Sequence, residues 1–239
     1  MLPDVLRARF RKAVEPVARF LSRTPLTPNL LTLIGFLLNV GVGILLALGH
    51  IRLGGALVLA AGLFDTLDGA LARTTQQTSK FGALLDSSLD RFSEAVLLLG
   101  LLVYYTRRYA FEEIILIYVV IVGSVMVSYV RARAEGLGLK CEVGLLPRPE
   151  RVMILAVGLM ISQVTIFALS IDATRIALWV LAFFANVTAV QRIVYVWQET
   201  SKEKDPKGGI TAPTKVKSPQ AKEEKSTRGK HRPRPSWSD

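Results

Sequence analysis

The sequence predicts an all-α integral membrane protein: six transmembrane helices preceded by an N-terminal amphipathic helix lying in the membrane interface. Three observations predict it. Of the 239 residues, 51% are hydrophobic and the mean hydropathy is +0.38, which suits a multi-spanning protein better than a soluble domain. Apolar runs of about spanning length recur along the chain, separated by short polar joints. Lys and Arg then concentrate on alternate joints, as membrane topology requires.

The elements follow in order. Residues 4–22 repeat apolar side chains at Leu6, Phe10, Val14, Val17 and Leu21, with Arg7, Arg9, Arg11, Lys12 and Arg19 between them. A basic amphipathic helix of this kind lies in the interface, and Pro16 bends it. Pro25 and Pro28 precede the first of six spans, expected at 29–48, 52–72, 82–105, 112–133, 151–170 and 175–198. One side carries six Lys or Arg in the N-terminal segment, two in the 73–80 loop, five in the 131–151 loop and eleven in the tail. The other side has only Arg52, Arg107, Arg108 and Arg175. The first side is therefore expected to be cytoplasmic, with both termini on it and the chain in the cell membrane. Arg91 and Arg192 fall inside spans, where an Arg faces protein or a polar cavity. The tail from Ser201 holds eleven Lys or Arg against five Asp or Glu and few apolar residues, so disorder is expected there. Its charge suits anionic membrane lipid; no nucleic-acid partner is expected. The domain reading is an amphipathic juxtamembrane helix at 1–24, a six-helix transmembrane domain at 25–199 and a basic cytoplasmic tail at 200–239.

The single Cys141 excludes an internal disulfide and a Cys-based zinc site, and His50 and His231 lie far from the acidic stretch described next. No cleavable signal peptide is expected, because the first long apolar run is of spanning length.

The chemistry concentrates between Asp65 and Asp90. Asp65 and Asp68 are three apart, Asp86 and Asp90 four apart, and either spacing puts both side chains on one helix face. Each pair adjoins strongly apolar sequence. A bare carboxylate at membrane depth costs roughly 2.5–3.5 kcal/mol, and divalent cations held by oxygen ligands offset such a cost. One capped helix end would explain one aspartate, not four. A hairpin of spans two and three would bring the four together at its cytoplasmic mouth. Such a cluster can hold two cations; Mg²⁺ suits it, and Mn²⁺ fits the same ligands.

The full spacing is D-x2-D-G-x2-A-R-x8-G-x3-D-x3-D, met by Asp65, Asp68, Gly69, Ala72, Arg73, Gly82, Asp86 and Asp90. At every fixed position it resembles the signature of the CDP-alcohol phosphotransferases. That resemblance implies a membrane enzyme that moves a phosphatidyl-type group from a CDP-lipid to an alcohol and releases CMP, as a homodimer. It assigns Asp65, Asp68 and Asp86 to metal, and Asp90 to metal and to the base that deprotonates the acceptor hydroxyl. It places Gly69 and Arg73 on the CDP moiety, Arg73 as a planar fork for phosphate, with Ser79 a further contact. It also raises Asn29 and Thr32 above ordinary helix-start residues, to contacts with the nucleotide end of the donor.

For the acceptor, Arg131, Arg133, Lys140, Arg148 and Arg151 gather on the expected cytoplasmic side. Arg148 and Arg151, three apart, share a face, and Arg131 closes span four. The segment resembles the branch that makes phosphatidylinositol phosphate from inositol phosphate, where Y-x-[K/R]-A-R-A-E precedes E-R-x-E-R. Here the second stretch reads PRPER, with Pro147 in the place of Glu. The expected reaction is therefore phosphatidyl transfer from CDP-diacylglycerol to inositol 1-phosphate, with Arg131, Arg148 and Arg151 holding the acceptor phosphate. Another acceptor, such as glycerol 3-phosphate, is the nearest alternative. A cation or proton transporter is the alternative from a different class, but its polar residues should extend through the membrane rather than cluster at one face.

Overall fold

The computed structural model describes residues 27–74, 79–166 and 169–203, without the side chains of 65–74, 163–171 and 202–203. The expected helix of residues 1–24, and the tail beyond residue 203, lie outside the described residues. Among those described, six helices and one hairpin follow in order: α1 (Pro28–Ala47), α2 (Ile51–Thr74), α3 (Lys80–Thr106), α4 (Phe111–Gly136), α5 (Arg148–Ile161), β1 (Gln163–Ile166), β2 (Leu169–Asp172) and α6 (Ala173–Glu203).

The helix starts follow local chemistry. The Thr27 hydroxyl accepts from the Leu30 N–H at 3.3 Å, just before Pro28 at the first helical position. Ser79 caps α3 in the same way, accepting from the Gly82 N–H at 2.9 Å. Extended Pro147 starts α5 at Arg148. Asp172 caps α6 through the Thr174 and Arg175 N–H groups, at 2.9 and 3.2 Å.

Three helices, Pro28–Ala47, Phe111–Gly136 and Ala173–Ser201, are each long and apolar enough to cross a membrane. The fifth expected span, 151–170, is corrected. Helix α5 stops at Ile161, Ser162 turns the chain at φ 52°, and β1 pairs antiparallel with β2 in its place. Val164, Thr165, Ile166 and Ile171 are β-branched and fit a pleated strand. Hydropathy alone does not tell a short apolar hairpin from a helix. With 14 residues, α5 rises about 21 Å, short of the ~30 Å hydrocarbon core.

Helix α1 packs on α2 and α3, α2 on α5, and α3 on α4. Leu46, Leu98, Leu101, Ile117, Leu159 and Leu178 form the centre of the core. Glycines set the closest crossings, as expected where lipid supplies no hydrophobic drive between helices. A Cβ at Gly100 would run into the Gly43 carbonyl, joining α3 to α1, and one at Gly55 would meet the Ala156 carbonyl at 2.8 Å, joining α2 to α5. Backbone cannot yield as a side-chain tip can. Gly100→Ala should therefore destabilise the protein by about 1–3 kcal/mol, read as a lower unfolding midpoint in detergent. Gly41→Ala on α1, whose Cβ would meet nothing within 4 Å, is the matched control and should leave that midpoint in place.

Candidate active site

Alternating helix directions bring the starts of α1, α3 and α5 to one end of the bundle. Gly82 shows how closely they meet there. A Cβ on it would lie 2.9 Å from Asn29 Oδ1 and 3.0 Å from Ser79 Oγ. The glycine of the acidic signature thus makes room for two polar side chains far apart in sequence. Both were expected to contact the donor nucleotide. One turn beyond half-buried Asn29, the Thr32 hydroxyl donates to the Pro28 carbonyl at 3.0 Å. Asp65, Asp68, Gly69 and Arg73 lie on the last turns of α2, an unbroken helix to Thr74; their side chains are outside the description.

On α3, Asp86 is exposed and Asp90 half-buried, one turn apart. Their oxygens suit a hard divalent cation, and the open position of Asp86 leaves room for one. Among the described residues no group of three or more His, Cys, Asp or Glu is close enough to hold a metal; the other two signature aspartates are not among the described side chains.

Asp90 has a cationic neighbour. Arg148 Nη1 lies 2.6 Å from Asp90 Oδ2, and Arg148 Nη2 donates to the Asp90 carbonyl at 3.2 Å. This pair stays accessible, with side chains 29% and 22% exposed. One turn deeper sits a second pair. Arg151 donates through Nε and Nη2 to the two oxygens of Glu94, each at 3.1 Å, while the Ser124 hydroxyl of α4 donates to Glu94 Oε1 at 2.8 Å. Arg151 is 2% exposed and Glu94 8%. Arg148 and Arg151 do share a face, turned toward α3. Arg151, however, is engaged by a buried carboxylate rather than held open at the surface. Arg131 is half-exposed and pairs with Glu135 of its own helix at 2.8 Å.

Two residues gained partners that sequence reasoning did not supply. Glu94 continues the four-residue step of Asp86 and Asp90 into the apolar half of α3, and that step was the available signal. Arg192 is 6% exposed and donates to the carbonyls of Val127 at 2.5 Å and Val143 at 2.8 Å. It ties α6 to α4 and to the segment before α5. Arg91 reaches back to the Ser87 carbonyl of its own helix. An open groove of about 800 Å³ runs between residues 142–145 and α6. Its walls of Val143, Leu145, Val187, Val190 and Val194 suit apolar matter better than a phosphorylated polyol.

Residues 25–190 match the family model described as CDP-alcohol phosphatidyltransferase. An archaetidylinositol phosphate synthase of Methanothermobacter thermautotrophicus is 36% identical over 204 residues, covering 82% of this chain and 98% of that one. A phosphatidylinositol phosphate synthase of Mycobacterium tuberculosis is 35% identical over 198 residues, covering 82% and 91%. Among solved structures, the M. tuberculosis phosphatidylinositol phosphate synthase with CDP-DAG bound superposes with a TM-score of 0.71 at 35% identity, over 78% of this chain and 94% of that one. The same enzyme in complex with manganese and citrate gives 0.69, over 77% and 88%.

Proposed function

Because the chain belongs to the CDP-alcohol phosphatidyltransferase family, we propose that it transfers a phosphatidyl group from CDP-diacylglycerol to inositol 1-phosphate, giving phosphatidylinositol phosphate and CMP. The observation that carries the acceptor is the Asp90–Arg148 pair. It sets a carboxylate able to take a proton beside a cation able to hold a phosphate. A neutral alcohol would not need that cation. The relatives' names support the same acceptor.

In this reading Asn29, Thr32, Gly69, Arg73 and Ser79 hold the CDP end of the donor. Asp65, Asp68, Asp86 and Asp90 hold two divalent cations, Mg²⁺ or Mn²⁺, which when bound supply positive charge against the pyrophosphate and the departing CMP. The chain's own steps are positioning and proton transfer. The acceptor hydroxyl oxygen bonds to the lipid-linked phosphorus as the P–O bond to CMP breaks, and the hydroxyl proton passes to Asp90. None of the fixed positions of the signature is a Ser, Cys or His that could serve as an activated nucleophile, so transfer is direct, without a covalent enzyme adduct. Arg148 and Arg131, both accessible, meet the acceptor phosphate, with Arg151 behind them. The site opens to the cytoplasm at the mouth of the helix bundle. The basic tail lies near anionic lipid, and the enzyme works as a homodimer.

The test is CMP release by purified protein supplied with CDP-diacylglycerol, Mg²⁺ and a panel of alcohols. Inositol 1-phosphate should be used and free inositol should not, with glycerol 3-phosphate as the competing acceptor. A donor carrying an archaetidyl group belongs in the panel, given the archaetidylinositol phosphate synthase among the relatives. Equal rates with inositol and its phosphate would remove the acceptor assignment. A charge-assisted hydrogen bond contributes roughly 1.5–3 kcal/mol. Arg148→Ala should accordingly raise the KM for inositol 1-phosphate about ten- to a hundredfold and leave the KM for CDP-diacylglycerol nearly unchanged.

A further inference from the structure

The two acid–arginine pairs between α3 and α5 differ in one respect that matters. Asp90–Arg148 is wet, whereas Glu94–Arg151 is dry. Carboxylates four apart on α3 mesh with arginines three apart on α5, so the two pairs share one register. The inner pair is the better anchored. It is a two-bond fork, its carboxylate also accepts from Ser124 of α4, and Arg151 Nη1 donates to the Leu146 carbonyl just before α5, at 3.3 Å. Three helices and the loop leading into α5 therefore converge on the Glu94–Arg151 pair. A fork of this kind tolerates little sliding, and a buried charge left without its partner is strongly unfavourable.

We propose that Glu94 is a positioning residue for the transfer reaction. Its fork with Arg151 sets α5 against α3 so that Arg148 meets Asp90, and it occupies the charge of Arg151, which then serves as structure rather than as a ligand of the acceptor. Glu94 touches neither substrate. The proposal rests on the role given above to Asp90 and Arg148.

The test is a double-substitution cycle of Glu94→Gln, Arg151→Gln and the two combined, each purified in detergent. Glutamine keeps the shape of the glutamate side chain and its hydrogen bond from Ser124. Each single variant strands one buried charge, and the pair strands none. Either single change should lower the unfolding midpoint, and the double should recover most of the loss. With CDP-diacylglycerol and inositol 1-phosphate, either single change should lower kcat about ten- to a hundredfold, since a misplaced Asp90 costs rate. The KM for CDP-diacylglycerol should stay within about twofold of wild type, because removing an interaction made only in the transition state leaves ground-state binding unchanged, and the double should regain at least half of the lost kcat. Retention of full kcat by Glu94→Gln would overturn the proposal. So would an Arg151→Gln variant whose acceptor KM rises tenfold or more and is not restored in the double, since Arg151 would then be holding the acceptor. The midpoint arm is read without any substrate. A wild-type protein that releases no CMP from the panel would therefore count against the proposed function, while recovery of the midpoint in the double would still establish the fork.

Discussion

Asp90→Asn is expected to abolish transfer while donor binding survives in part. The expected loss in kcat is about 10²–10⁴, the usual contribution of a positioned general base, and CDP-diacylglycerol should still bind in part. Asparagine fills the same space at a half-buried position, so the helix and its packing survive. What goes is the charge that faces Arg148 at 2.6 Å and that is proposed to accept the hydroxyl proton. Because Arg148 also loses its partner in this variant, Arg148→Gln is the necessary control. It should act mainly on the acceptor KM, whereas Asp90→Asn should act on kcat with saturating acceptor. Single-turnover CMP release beside donor binding separates the two. Near-normal turnover by Asp90→Asn would move the base elsewhere.

Excess chelator should stop CMP release altogether, and Mg²⁺ or Mn²⁺ should restore it. Two pairs of aspartates on consecutive helices would place like charges together, an arrangement that disfavours ionisation unless cations balance it. Phosphoryl-group transfer also needs positive charge where the leaving group forms, and these residues offer carboxylates rather than a His or Lys for that purpose. Asp86→Asn should accordingly raise the metal concentration needed for half-maximal rate, and Asp65→Asn likewise. Full activity in chelator, or variants with unaltered metal dependence, would sink the metal reading.

The sequence by itself determined the family and most of the helices, because both depend on local pattern. Apolar runs and polar joints located α1, α2, α3, α4 and α6, and the spacing of Asp65, Asp68, Gly82, Asp86 and Asp90 follows helix periodicity that short stretches carry within themselves. Where local pattern was ambiguous the outcome differed. An apolar run does not say whether it continues as helix or folds back, and the run after Ile161 folds back as β1 and β2. Only the tertiary structure decided partners. Glu94 and Arg151 are 57 residues apart, Arg148 and the Asp90 carbonyl 58, Arg192 and the Val127 carbonyl 65. Gly82 meets Asn29 across two helix starts. Which arginine stays accessible to a phosphate and which is taken up by a buried carboxylate depends on how helices cross. A charge in a nearly dry interior is tolerable only when an opposite charge from another helix meets it, and spacing along one strand of sequence does not specify that meeting.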